Sequence, residues 1–100
     1  MNVSLFKAFS QIKDEKEFDN FLRDLCTPGE IQALRERWQI AQALYEGELS
    51  YREIEAELGS SLATITRIAR FLKDEPYQGY NLILGRLARK PKNKGPSERK

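Results

Sequence analysis

Histidine is absent from this sequence, and cysteine occurs only once, at Cys26. The side chains that most often bind zinc, or that act as nucleophile and base in covalent catalysis, are therefore almost entirely missing. The sequence also lacks the GxxxxGK[ST] and GxGxxG loops that bind nucleotide phosphates. From these absences we predict that the chain is not an enzyme and has no catalytic residue, metal ion or cofactor.

Long apolar runs are missing as well. No stretch approaches the roughly 18 consecutive apolar residues that a membrane-spanning helix requires. The first residues, MNVSLFKAFSQIKD, lack the charged start, apolar core and cleavage site of a secretory signal. A single cysteine cannot form a disulfide within the chain. We therefore expect a cytoplasmic protein that does not bind membranes.

Charge is present in quantity but is unevenly distributed. The formal net charge is only +2, yet the segment 62–73 contains three basic residues and no acidic one. From Tyr77 onward, seven basic residues accompany a single acidic residue. Basic charge concentrated in segments suits contact with phosphate groups. Residues 90–100, KPKNKGPSERK, also contain two prolines and a glycine, and we predict a disordered basic tail there.

Apolar residues recur at helical spacing along most of the chain, and no long segment alternates with the period of a strand. We predict an all-α fold with six helices. Capping pairs mark the starts of three of them: Asp14 with Glu17, Thr27 with Glu30, and Ser50 with Glu53. Gly47 and Gly59 mark helix ends, because a helix often stops at a residue with positive φ.

The same spacing predicts which residues face inward. In the first three helices these are Leu5, Phe6, Phe9, Ile12; Phe18, Phe21, Leu22, Leu25; and Ile31, Leu34, Trp38, Ala41, Leu44, Tyr45. In the last three they are Ile54, Leu58; Leu62, Ile65, Ala69, Leu72; and Tyr80, Leu84, Leu87, with the sixth helix running from about Tyr77 to Ala88. Three amphipathic helices at the start of so short a chain are difficult to bury within one molecule. We therefore predict a single helical domain over residues 1–89 that forms a homodimer.

Residues 50–73 have the layout of a helix-turn-helix. Such a unit needs an apolar anchor, a turn residue with positive φ and an apolar inward contact, and Ile54, Gly59 and Ile65 suit these positions. The outward face of its second helix carries short or basic side chains: Ala63, Thr64, Thr66, Arg67 and Arg70. Hydroxyl and guanidinium groups bind the base edges and phosphates of double-stranded DNA. Alternatively, the two helices form a hairpin within a larger helical domain, and the arginines are merely solvated.

The segment 26–67 resembles the Trp repressor family. Three motifs carry the resemblance, TPxExxALxxR, GELSxREIxxELG and ATITR, in the family's order and with its intervals. Members of that family are intertwined helical homodimers that bind palindromic operators through a helix-turn-helix. The resemblance implies a dimeric, sequence-specific transcriptional repressor. It also implies that Arg52 contacts guanine or phosphate, and that Thr64 and Thr66 contact DNA from the second helix.

The best-known member of the family requires bound L-tryptophan, and the resemblance identifies the corresponding positions. Arg37 and Arg67 match the two arginines that enclose the indole ring, and Thr27 matches a residue of the pocket lining. The family has glycine and serine where this chain has Ile68 and Phe71. We expect these larger side chains to fill the pocket, as in a subgroup of the family without an evident ligand site. The chain would then not respond to tryptophan, and Arg37 and Arg67 would face solvent or phosphate. The alternative is a smaller or differently shaped effector, which the sequence does not identify.

The sequence is compatible with two alternative functions. The first is sequence-specific binding of a palindromic operator by a homodimer. The second is a helical protein-interaction module that binds a component of the transcription machinery. Salt separates them, because DNA binding through several phosphates weakens steeply as salt rises and an apolar helix–helix interface does not.

Overall fold

The computed structural model describes residues 1–89, which form six α-helices and no β-strand. The helices are α1 (Leu5–Phe9), α2 (Glu15–Leu25), α3 (Pro28–Glu46), α4 (Tyr51–Leu58), α5 (Leu62–Lys73) and α6 (Gly79–Arg89). The prediction of a six-helix, all-α fold is confirmed. The predicted basic tail, residues 90–100, lies outside the described residues. None of the described helices is long and apolar enough to cross a membrane.

The chain divides into two compact units, of which the first is Met1–Arg35. Aromatic contacts stabilise this first unit, and its first two helices contain no buried core residue. The ring centroid of Phe9 lies 5.7 Å from that of Phe18 and 5.8 Å from that of Phe21. Neither α1 nor α2 contains a buried residue, and Phe6 is 79% exposed. The apolar faces of these two helices are therefore largely uncovered within one chain.

The capping bonds lie where the sequence predicts them, with one difference. The Asp14 side chain accepts a hydrogen bond of 2.9 Å from the Glu17 amide. The Glu17 carboxylate accepts from the amide of Lys13 (2.9 Å), one residue before the amide that a reciprocal capping box would use. Thr27 and Glu30 exchange both bonds of the box, at 3.1 and 2.8 Å. These side chains satisfy amides that no helical carbonyl can reach.

The core of the second unit, which begins at Glu36, is a cluster of mostly branched aliphatic side chains. Its members are Ile40, Ala41, Ile54, Ile65, Ile68 and Leu84. They come from α3, α4, α5 and α6, so one cluster holds four helices together. The partly buried Trp38, Leu72 and Tyr80 pack against it. This cluster fixes α4 and α5 on α6 and on the C-terminal part of α3.

The predicted inward faces are only partly buried within one chain. The exposed members are Leu5, Phe6, Phe18, Leu25, Leu34, Tyr45, Leu62 and Leu87. Leu62 and Leu87 are 47% and 53% exposed, and each stands in an end turn, beyond the buried residues of its own helix. Ile12 follows the end of α1 instead of lying on it. Conversely, Ile40 and Ile68 are buried although the predicted faces omitted them.

A short turn joins α4 to α5. Gly59 adopts φ +69 and ψ +23, in the left-handed region, and ends α4. Ser61 then caps α5 by accepting a hydrogen bond from the Thr64 amide (3.2 Å). Ile54 and Ile65, on either side of the turn, are completely buried. The local geometry therefore agrees with the prediction at Ile54, Gly59 and Ile65.

Gly59→Ala should lower the free energy of unfolding by about 1–2 kcal/mol, the cost of a left-handed backbone for a residue with a Cβ. Beyond Gly59 and its two chain neighbours, no atom of the described residues lies within 4 Å of the added Cβ, so the effect is conformational and not steric. Gly29→Ala is the matched control, because its Cβ also meets nothing within 4 Å and its φ is not positive. Urea unfolding of both variants measures the difference. Equal midpoints would show that the turn does not depend on the conformation of Gly59.

Candidate DNA-binding surface and arginine cleft

Four of the five residues of α5 that we predict to contact DNA share one face of the helix. These residues are exposed and are spaced by three, one and three positions: Ala63, Thr66, Arg67 and Arg70. This spacing keeps their side chains within about 100° around the helix axis. Arg52 is exposed on α4. We call Ala63, Thr66, Arg67 and Arg70 the outer face of α5.

Thr64 differs from its neighbours because it takes part in the helix cap. Its hydroxyl lies 2.9 Å from the Ser61 hydroxyl, and its amide donates to the same oxygen. Thr64 is only half-exposed. One bond of its hydroxyl is thus used within the protein, which leaves the methyl group and a lone pair for a partner.

Two of the three cations on α5 are positioned by neighbouring side chains. The Arg67 guanidinium lies 5.7 Å from the ring centroid of Phe71, within range of a cation–π contact. Arg70 forms an ion pair of 3.4 Å with Glu75, which follows the helix. Lys73 has no ion pair among the described residues. Glu75 therefore competes with a phosphate for the Arg70 guanidinium.

The basic character belongs to α5 and not to α4. The only basic residue of α4 is Arg52, which stands beside Glu53, Glu55 and Glu57. The first turn of α5 contains no acidic side chain. Because a helix carries partial positive charge at its N-terminus, that end of α5 favours an anion. Electrostatics thus direct a polyanion to α5.

A cleft of about 360 Å³ lies beside the outer face of α5. It is lined by Arg37, Thr64, Arg67, Ile68, Phe71 and Tyr80. The structure thereby brings together Arg37 and Arg67, the two arginines that the sequence singled out, and we call this space the arginine cleft. Sequence reasoning did not assign Tyr80 to it, because helical spacing marked Tyr80 only as a core residue.

Ile68 and Phe71 occupy different positions in the arginine cleft. Ile68 is 2% exposed and belongs to the hydrophobic core, whereas Phe71 is half-buried and carries the Arg67 guanidinium on its ring. Both residues line a cleft of about 360 Å³, and complete filling of that space by them stays a prediction. Thr27 belongs to the first unit, where its hydroxyl accepts the Glu30 amide in the cap of α3.

Comparison with known proteins identifies the family. The sequence model of the family described as "Trp repressor protein" matches residues 3–88. The chain belongs to the Trp repressor family. It is similar to a "Trp operon repressor homolog" from Vibrio vulnificus, at 45% identity over 74 residues, which cover 71% of this chain and 72% of that protein. The "Uncharacterized protein YerC" of Bacillus subtilis is 46% identical over 83 residues, or 83% of this chain and 78% of the relative.

Among solved structures, the crystal structure of a TrpR-like protein from Eubacterium eligens has the same fold. It superposes with a TM-score of 0.77 at 36% identity, over 85% of this chain and 86% of that one. Membership of the Trp repressor family identifies the chain as a DNA-binding transcriptional regulator, as the sequence predicted. The family is one of repressors and not of enzymes. The individual contact residues remain predictions.

Glu75→Gln should raise the affinity for a mixed-sequence DNA duplex roughly twofold at low salt, because it frees Arg70 from an exposed ion pair. Fluorescence anisotropy with a labelled duplex measures this. Asp74→Asn is the matched control, since it removes the same charge one residue earlier from a side chain with no ion pair among the described residues. Equal gains in both variants would mean that only net charge matters and that releasing Arg70 does not.

Proposed function

We propose that this member of the Trp repressor family is a homodimeric repressor that binds a palindromic operator through α5 and does not require L-tryptophan. The observation that carries the proposal is the outer face of α5, which is exposed, short or basic, and free of acidic side chains. A surface of this composition can approach the major groove without a steric or electrostatic obstacle.

Each contact residue has a distinct role in the proposal. Arg52, Arg67 and Arg70 neutralise phosphates or donate to guanine, which gives affinity. Ala63 and Thr66 are short enough to meet thymine methyl groups and base edges, which gives selectivity. Thr64, tied to the helix cap, offers its methyl group and orients the first turn of α5. Affinity and selectivity should therefore respond to different substitutions.

Arg52→Ala and Thr66→Ala separate these two contributions. Arg52→Ala should reduce the slope of log affinity against log salt by about 0.9, the value for one phosphate contact on duplex DNA. Thr66→Ala should leave that slope unchanged and reduce the preference for a selected site over random DNA. Anisotropy titrations at several salt concentrations measure both quantities.

Lys16→Ala is the control for Arg52, because it removes one exposed positive charge from α2, away from the helix-turn-helix in sequence. It should leave both the slope and the selectivity unchanged. If Lys16→Ala reduces the slope as much as Arg52→Ala does, binding depends on net charge and the assigned surface is wrong.

In the proposed homodimer, a second copy of the chain covers the exposed apolar side chains. In the described residues, Phe6 is 79% and Tyr77 92% exposed, and Leu82, Ile83 and Leu87 are exposed on α6. So many large apolar side chains on a chain of 11.6 kDa are unusual for a monomer. A homodimer has two-fold symmetry, which matches the symmetry of a palindromic operator.

Light scattering at micromolar concentration should give a mass of twice 11.6 kDa. Leu82→Glu should shift the protein towards the monomer, because it places a charge among apolar side chains that association buries. Arg86→Glu, which adds the same side chain at an exposed polar position of α6, is the control and should remain dimeric. A monomeric wild type would contradict the proposal.

The arginine cleft supports the absence of a tryptophan requirement. Two guanidinium groups suit a carboxylate, but the part of the chain that the structure describes lines the cleft with no acidic side chain, only with the hydroxyls of Thr64 and Tyr80, to accept from an ammonium group. Phe71, at the position where the family has serine, adds an apolar ring in place of a hydroxyl. Neutral hydroxyls do not balance the charge of an ammonium group, and its desolvation costs on the order of several kcal/mol, which an indole contact does not recover.

Titration calorimetry with L-tryptophan should therefore show no binding to the wild type at micromolar concentration. Phe71→Ser should introduce measurable affinity, because it restores a hydroxyl and enlarges the cleft. This single substitution is preferable to one that includes Ile68→Gly, since Ile68 lies in the core and its loss would create a cavity. Micromolar binding by the wild type would contradict this part of the proposal.

A further inference from the structure

The C-terminal end of α5 is capped by two amide side chains from the residues that follow it. A helix leaves its last four carbonyl groups without an amide partner inside the helix. In α5 the Arg70 carbonyl accepts from the Asp74 amide (2.8 Å). The Phe71 carbonyl accepts from Gln78 Nε2 (3.4 Å) and the Leu72 carbonyl from Asn81 Nδ2 (2.6 Å). The end of the helix is thus attached to α6 by side chains.

The two amides are also bonded to each other and to the connecting segment. Asn81 Nδ2 donates a second bond to Gln78 Oε1 (2.6 Å), and Gln78 Nε2 donates a second bond to the Glu75 carbonyl (2.6 Å). Both N–H bonds of each side-chain amide are therefore used. Both residues are half-buried, so these bonds are protected from water better than those at the surface.

The backbone of Gln78 is held in an unusual conformation. Its φ is +55, and among the described residues it is the only residue other than glycine with positive φ. Its carbonyl accepts from the Leu82 amide (3.0 Å), which places it immediately before the first turn of α6. Residues with a Cβ adopt this region rarely, and such conformations persist where the surrounding structure requires them. The bonds of the Gln78 side chain supply that requirement.

This network also borders the arginine cleft. Tyr80, which lies between Gln78 and Asn81 in sequence, lines the cleft together with residues of α5 such as Thr64 and Arg67. The bonds to the Phe71 and Leu72 carbonyls therefore hold two walls of the cleft, α5 and α6, at a fixed separation. A change in that separation would move the outer face of α5 relative to the rest of the second unit.

We propose that Gln78 and Asn81 form a latch that sets the position of α5 for DNA binding without a small-molecule ligand. The proposal rests on the proposed function, because it assumes that α5 contacts DNA. In this role Gln78 and Asn81 are positioning residues. They act through α5, since their own N–H groups are already occupied by protein acceptors.

Asn81→Leu tests the latch, because leucine resembles asparagine in shape and carries no donor. The expected result is a loss of DNA affinity of roughly fivefold, the scale of a lost hydrogen bond that leaves a carbonyl unpaired. The salt dependence should stay unchanged, since no phosphate contact is removed. Asn81→Gln, which keeps the amide, should recover part of the affinity. Amides in the last turn of α5 should exchange hydrogen faster in Asn81→Leu than in wild type.

Gln78→Gly is the second variant, because glycine adopts positive φ without strain and only the side-chain bonds are lost. Gln78→Gly should also weaken DNA binding. Because this variant introduces no backbone strain, the weaker binding would come from the lost side-chain bonds alone. Gln39→Met, at an exposed position of α3, is the control for loss of a surface amide. All affinities are measured at a temperature at which circular dichroism shows each variant folded, so that a purely stabilising role leaves them unchanged.

The outcomes distinguish the latch from the proposed function. If the wild type binds DNA and both Asn81→Leu and Gln78→Gly bind equally well, the latch is overturned and the proposed function stands. If the wild type does not bind DNA under low-salt conditions, the proposed function fails and the latch fails with it. Weaker binding by both variants, with recovery in Asn81→Gln and no change in Gln39→Met, supports the latch.

Discussion

The structure depends on one buried cluster that contains both Ile54 and Ile65, which lie on either side of the turn at Gly59. Both isoleucines are completely buried, and they bring α4 and α5 together on α3 and α6. The left-handed backbone of Gly59 permits this because it reverses the chain within a short turn. The inner side of α5 is thereby fixed in the core, and its outer face is left to solvent.

The exposed side of α5 is basic because α5 itself contains no acidic residue. No acidic residue lies on α5, while the acidic residues of this region lie on α4 and after Lys73. Arg67 rests on the Phe71 ring, and Arg70 pairs with Glu75. Arg67 is thus held near the outer face before any partner arrives, which reduces the conformational entropy lost on binding, whereas Glu75 competes with a phosphate for Arg70.

The sequence predicted the features that depend on neighbouring residues. The bonds of Thr27 with Glu30, and of Ser50 with Glu53, are formed as expected, because a cap involves only residues within one turn. Burial was predicted less well. Helical spacing gives the face of a helix but not the extent of the facing elements, so it placed Leu62 in the core and omitted Ile40.

The sequence indicated some residues of the arginine cleft but not the bonds between α5 and α6. The motifs singled out Arg37 and Arg67, and both side chains line the same cleft, but what they bind there stays a prediction. The bonds of Gln78 and Asn81 to α5 could not be read from the sequence, since they join residues seven and nine positions apart across a bend whose angle the spacing does not specify.

The most direct test of the account is selection from a pool of random DNA duplexes by the ligand-free protein, followed by sequencing. If α5 is positioned for DNA without a ligand, the selected duplexes should be enriched in inverted repeats whose half-sites are centred about 10 base pairs, or a multiple of that, apart. No enrichment, or enrichment that appears only after L-tryptophan is added, would contradict the claim that α5 is positioned to read an operator without a ligand.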